Sequence, residues 1–386
     1  MGNKEANRFS DPVSLGLDPK KLNELILRVD KEVQIGLLPS AQIAIARHGK
    51  LALLKSFGQA DNGSLYTVFS VTKAVISSAI WLMMQDGSLD ESTKVIDVLP
   101  EFGENGKEEV LVEHLLTHTA GFPAAPFFPL DWLDSKRRIE RFKSWYLDWE
   151  PGKSYMYHPS SAMWVLAEII ERVSGIQFQK YVRDQICSPL GLSDIFVGLP
   201  ESELNRVLSV VHVGEDMTKD EYLALGLPLP RITEVTEEAV SLFNTQDFQF
   251  LGVPGGGGIM GAGDLALFYQ ALLHGGLDGA HLWSPSILER ARVVRTGDLL
   301  DPDTGKLASR GLGIVIAGDR YRNFRGFGKT NSPEAFGHNG VGGQIAWADP
   351  ETGISFVYCT NGLDRNWLRR GRRGTAISSL AASCLA

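Results

Sequence analysis

The sequence predicts an α+β fold in which one antiparallel sheet is built from both ends of the chain around a helical middle. Three observations predict it. β-like runs at residues 41–46 and 51–57 lie near the N-terminus, and three more at 311–317, 343–349 and 353–360 lie near the C-terminus. Between the two groups, apolar residues recur mostly at helical spacing. Strands at both ends enclosing helices are most simply accommodated by a sheet that the two termini share.

Taken in order, residues 19–35 place Leu22, Leu25, Ile26, Val29 and Val33 on one helical face. The runs 41–46 and 51–57 follow, joined by Arg47-His48-Gly49-Lys50, a hairpin turn in which His48 is a solvated loop residue. A long apolar helix starts near Ser70 and closes at Gly87. His114 and His118 are four apart, but Leu115 stands where a zinc protease motif needs Glu, so both are read as structural. The basic run 136–143 is the solvated face of a helix. A turn at 149–159 leads into an amphipathic helix over 160–174 that ends at Gly175. The glycines at 255–258 lack the Lys-Ser/Thr ending of a phosphate loop and mark close backbone approach. In the last third, a turn at 349–353 joins two antiparallel strands, and residues 367–385 form a closing helix whose start carries four arginines.

The 386 residues, 44% hydrophobic and 22% charged, suffice for a sizeable core. A net charge of −8 argues against nucleic acid or an anionic membrane as partner, and a small-molecule substrate fits better. Cys187, Cys359 and Cys384 are far apart and odd in number, so no disulfide design is expected. Residues 1–11 are polar, without the apolar stretch of a signal peptide, and Ala6 breaks a myristoylation pattern. No run of about eighteen apolar residues occurs, so a soluble, cytoplasmic chain is the expectation.

The chemistry begins at Thr67-Val68-Phe69-Ser70-Val71-Thr72-Lys73. Ser70 and Lys73 share one face of the first helical turn, so the amine can serve as base for the hydroxyl. Free backbone N–H groups and the positive end of the helix dipole favour negative charge at the serine oxygen. The spacing alone is weak: 29 Ser and 16 Lys in 386 residues predict about one such pair by chance. Its company decides the matter.

Ser70-Val71-Thr72-Lys73, Tyr157-His158-Pro159 and His338-Asn339-Gly340 resemble, in order, the three motifs of the serine β-lactamase and penicillin-binding-protein superfamily. The closest pattern is the class C β-lactamase-like branch, with its many esterases. The match runs through nearly the whole chain. The resemblance implies a β-lactamase/transpeptidase-like fold, with residues 1–66 and 290–386 forming the sheet domain, 67–289 a mostly helical domain, and the active site between them. It implies that Ser70 is acylated, that Lys73 and Tyr157 share its proton, and that the N–H groups of Ser70 and Val341 form an oxyanion hole. It places His338 and Gly340 at the substrate and calls for no metal or cofactor. His158 is read either as bordering the site or as capping the helix.

Two departures bear on substrate. Pro159 replaces the asparagine of the β-lactamases, and His338 replaces the lysine that supports recognition of the antibiotic's carboxylate. Both favour an ester with no required carboxylate. No Gly-x-Ser-x-Gly occurs, which disfavours an α/β-hydrolase, and a non-catalytic binding module would be expected to lack Ser70, Lys73 or Tyr157. The expectation is therefore a serine carboxylesterase acting on short-chain or aryl esters. The alternatives are a β-lactamase or D-Ala-D-Ala-type peptidase, and an acyltransferase to a small alcohol or amine. The segment 122–129 with Trp132 is either a pocket lining or a packed loop. Oligomeric state is left open.

Overall fold

The computed structural model describes residues 8–226, 229 and 234–386. The start of the polar N-terminal stretch, residues 1–7, lies outside the described residues. The first apolar face forms helix α1 (Pro19–Gln34), capped by Asp18, which accepts from the Lys20 N–H at 2.8 Å. Strands β1 (Ser40–Arg47) and β2 (Lys50–Gly58) meet at His48-Gly49, both at positive φ as a tight hairpin turn requires. Strand β3 (Leu65–Thr67) runs through a 3₁₀ turn, Phe69–Val71, into helix α2 (Thr72–Gln85). The middle of the chain supplies helix α3 (Ser161–Ser174), strand β4 (Gly258–Met260) and helix α4 (Ala262–His274). The C-terminal part supplies β5 (Val315–Ile316), β6 (Phe336–Asn339), β7 (Ile345–Asp349), β8 (Ile354–Thr360) and helix α5 (Trp367–Ala382).

The main sheet has six strands in the order β5-β6-β7-β8-β1-β2, each neighbouring pair antiparallel. The two ends of the chain meet where β1 pairs with β8, from Ala41 opposite Thr360 to Arg47 opposite Ile354. Sequence periodicity foresaw this arrangement. It missed β6, because Gly337, His338 and Asn339 have little strand propensity and only pairing with β5 and β7 makes them part of a strand.

Alternation along β1 divides the core. Ile43 and Ile45 face one side with Trp347 and Phe356, where α1 and α5 cover them through Leu25, Val29, Ile377 and Ala381. Ala44 and Ala46 face the other side with Ala346 and Ala348, and these small side chains let α4 lie close through Leu265, Phe268 and Tyr269. Helix α2 is buried on nearly every face, as an apolar helix without a polar stripe must be. It carries the start of the site into the middle of the molecule.

All three cysteines are buried and free. Among the described residues, no helix is long and apolar enough to cross a membrane. The aromatic segment is a packed loop: Phe127 stacks on Trp164 with centroids 4.5 Å apart, Phe122 lies 5.4 Å from Trp145, and Trp132 is buried.

Candidate active site

Ser70 lies on the 3₁₀ turn between β3 and α2, immediately after a constrained residue. Phe69 has φ of 47°, a conformation a bulky side chain adopts only when its surroundings hold it there. Thr72 Oγ1 donates to the Phe69 carbonyl at 2.5 Å and accepts from the Gly258 N–H at 2.9 Å. The Val68 N–H donates to the Gly258 carbonyl at 2.9 Å, and the Phe69 ring packs edge-on against Phe243 at 5.5 Å. Glycine is needed at 258, since a Cβ there would stand 2.6 Å from Thr72 Oγ1.

Lys73 is fully buried, with Nζ 3.2 Å from Ser70 Oγ. Nζ also donates to the carbonyls of Pro159 at 2.7 Å and Gly255 at 2.6 Å. Two N–H groups are thus committed to carbonyls, and the remaining tetrahedral position points at Ser70. In the neutral amine that position is the lone pair. Burial first, and then the positive charge of Arg310, hold Lys73 down to about 7, against an opposing pull from Glu234. The amine is therefore well populated near neutral pH.

Tyr157 arrives from the segment before α3, with its ring centroid 5.0 Å from Lys73 Nζ. Its hydroxyl is enclosed and makes no hydrogen bond of good geometry, although the Ser70 hydroxyl is near enough to favour the phenolate. Burial outweighs that help and pushes the phenol up to about 12. Lys73 and Tyr157 thus both address Ser70 without a hydrogen bond between them.

The turn from β6 to β7 closes the site. The Gly340 N–H donates to the Gln344 carbonyl at 2.8 Å and the Gly343 N–H to the Gly340 carbonyl at 3.1 Å. Among the described residues, the Val341 N–H between them has no acceptor. Gly340 is the point of closest approach to the serine turn, since a Cβ there would stand 2.6 Å from the Val68 carbonyl oxygen. At Gly340, expected from the sequence at the substrate, the structure brings two backbones together.

Residues 28–380 match the family profile described as Beta-lactamase. The chain belongs to the Beta-lactamase family. At that level it is a serine hydrolase of the β-lactamase fold. An Escherichia coli K12 relative, provisionally named a D-alanyl-D-alanine carboxypeptidase, is 25% identical over 384 residues, covering 91% of this chain and 85% of its own. The Mycobacterium tuberculosis H37Rv protein named esterase/beta-lactamase LipL is 25% identical over 317 residues, covering 77% of this chain and 69% of its own. The solved structure of a family VIII carboxylesterase superposes with a TM-score of 0.76 at 24% identity, covering 94% of this chain and 97% of that one, and so shares the fold.

Within this Beta-lactamase-family site, the two candidate histidines are engaged elsewhere. His158 is buried; its Nε2 accepts from the Phe122 N–H at 3.2 Å, and Nδ1 donates to the Met156 carbonyl at 2.7 Å. Burial lowers it to about 3, so it is a neutral strut between two loops, with neither nitrogen free for substrate or for capping α3. His338 directs Nδ1 to the Asn339 carbonyl at 2.9 Å, which leaves Nε2 to accept from Arg310 Nη1 at 3.4 Å. Burial and then the charge of Arg310 hold it well below its usual range. Its imidazole therefore offers an anionic substrate neither a charge nor an N–H.

His114 and His118 are structural. His114 Nδ1 accepts from the Leu111 N–H at 3.1 Å, and the His118 ring packs 4.7 Å from that of Tyr157. Among the described residues no three acidic, His or Cys side chains gather to hold a metal. Sequence reasoning did not single out Arg310, Glu234, or the carbonyls of Pro159 and Gly255. Carbonyls carry no side-chain signal, and Arg310 sits in an ordinary Ser-Arg-Gly stretch with no motif around it.

Proposed function

We propose that this protein is a serine carboxylesterase that hydrolyses short-chain or aryl esters through an acyl-enzyme on Ser70. The observation that carries the reading is the Lys73 amine, held by two carbonyls so that its lone pair faces Ser70 Oγ at 3.2 Å. Ser70 Oγ attacks the ester carbonyl as its proton passes to Lys73, and the N–H groups of Ser70 and Val341 receive the oxyanion. Collapse of the tetrahedral adduct expels the alcohol, which takes its proton from the Lys73–Tyr157 pair. Water then repeats the sequence on the acyl-enzyme and releases the acid.

The esterase named among the relatives supports this reading, as does the pair of departures at Pro159 and His338. Pro159 anchors the lysine through its carbonyl, so an asparagine side chain is not required for that purpose. A peptidase or β-lactamase reading is favoured by the Escherichia coli relative provisionally named a D-alanyl-D-alanine carboxypeptidase, by the β-lactamase half of the LipL name, and by the Arg310 guanidinium, which puts a cation beside His338. Turnover of p-nitrophenyl butyrate and of a chromogenic cephalosporin by wild-type and Ser70→Ala protein decides between them. Fast ester cleavage with negligible lactam cleavage, both dependent on Ser70, is expected. Efficient cephalosporin hydrolysis would put the alternative first.

A further inference from the structure

Among the described residues, Arg310 is built into the site without an ion-pair partner. Its backbone is fixed by a bridge to Val315, by donation of its N–H to Thr296 Oγ1 at 3.1 Å, and by the Arg295 N–H donating to its carbonyl at 2.7 Å. From there the side chain reaches inward. Nε donates to Tyr155 Oη at 3.0 Å, and Nη1 meets the acceptor nitrogen of His338 at 3.4 Å. The guanidinium carbon lies 5.2 Å from the Tyr157 ring centroid and 5.7 Å from that of Tyr155. Its polar partners are thus a phenol and a neutral imidazole. Among the described residues no carboxylate forms an ion pair with it, although Asp301 bears on Tyr155 and Glu234 on Tyr157 through space.

We propose that Arg310 is a positioning residue of the acid–base apparatus: clamped by Tyr155 and His338, it holds a fixed positive charge 5.2 Å from the centre of the Tyr157 ring that Lys73 faces from 5.0 Å, and so adds to burial in disfavouring a second cation there. The inference rests on the reading of Lys73 and Tyr157 as the proton-handling pair. The groups bearing on Lys73 come from every side. Ser70 lies on its own turn, Tyr157 on the segment before α3, and Arg310 on the segment before β5. Glu234 reaches the site through Ser160 Oγ, which donates to its carboxylate at 2.8 Å, and His118, His158 and His338 are held neutral. Among the described residues, Arg310 and Glu234 are the full charges that bear on Lys73, and they act in opposite directions, with Arg310 the stronger. A guanidinium suits this place because its charge does not titrate with the reaction, while its planar fork holds two partners at once. His338 thereby acquires its own purpose, as the acceptor that orients the fork.

The test compares Arg310→Gln, which can still donate to Tyr155 but carries no charge, with Arg310→Lys, which keeps a charge but loses the fork. The readout is the pH dependence of Ser70 phosphonylation by a fluorophosphonate. In that reaction Ser70 Oγ bonds to phosphorus, fluoride leaves, and the serine proton passes to Lys73, so no natural substrate is needed. The acid limb should move up by about one pH unit in Arg310→Gln and stay near wild type in Arg310→Lys. A slower Arg310→Gln with an unmoved acid limb would overturn the proposal, leaving Arg310 a packing role. Equal displacement in both variants would overturn it too. Lys73→Met is the control for the underlying reading: if that variant retains the acid limb, Lys73 is not the titrating base, and the failure lies there rather than with Arg310.

Discussion

Lys73 Nζ stands 3.2 Å from Ser70 Oγ, and the carbonyls of Pro159 and Gly255 fix the direction from which it does so. A lysine held in this way can act as a base only after losing its proton, and burial makes that loss possible near neutral pH.

The value of kcat/KM for an ester should therefore rise through an acid limb centred near 7, about tenfold per unit below it. Stopped-flow turnover of p-nitrophenyl butyrate between pH 5 and 9 would measure it. A flat profile would mean that Lys73 is not the group whose deprotonation admits Ser70 to the reaction.

Tyr157→Phe keeps the ring that packs on His118 and Lys73 but removes the enclosed hydroxyl beside Ser70. Turnover should fall by about a hundredfold or more, with the melting temperature little changed. A near-normal kcat would reduce Tyr157 to packing.

Burying Lys73 links stability to pH. Its proton leaves the folded protein near 7, whereas the unfolded chain keeps it to the ordinary lysine value of 10.5. Between those values the unfolded state binds more protons, so the folded state gains stability as pH rises. Below 7 both states are charged, and the cost of the buried ammonium is felt in full. The melting temperature of wild type minus that of Lys73→Met should thus grow from pH 7 to pH 10, whatever its sign at the start. A constant difference would contradict the depressed value.

Gly340→Ala places a methyl group against the Val68 carbonyl oxygen, where only 2.6 Å is available. We expect a loss of about 1–3 kcal/mol in urea denaturation, and lower turnover because the serine turn is pushed aside. Unchanged stability would show that the turn after β6 is free to yield.

Much of the fold was legible because it rests on periodicity. The apolar face of α1, the alternation in β1 and the unbroken apolar run of α2 each report burial directly. Ser70, Lys73 and Tyr157 were found through motif order, and the structure does bring them together. What escaped notice was whatever depends on neighbours. The sequence places His338 at the substrate, and it carries no sign of the fork from Arg310 or of the Asn339 carbonyl that meet its nitrogens in the structure. His158 looked like a possible border, yet two loops use both its nitrogens. The strain at Phe69 has no sequence signature, since nothing about a phenylalanine announces a positive φ.

The contact between Gly340 and the Val68 carbonyl also has a consequence in time. It joins the strand that delivers the nucleophile to one synthesised much later, and β1 likewise waits for β8. Contacts so distant along the chain form late and slowly. Until they do, Ser70 lacks the turn that carries Val341, and the nascent chain is expected to be unreactive at Ser70. Reactivity at Ser70 therefore reports that the early strand β1 and the late strands β6 and β8 have found their places, so an activity-based label would count folded molecules rather than synthesised ones.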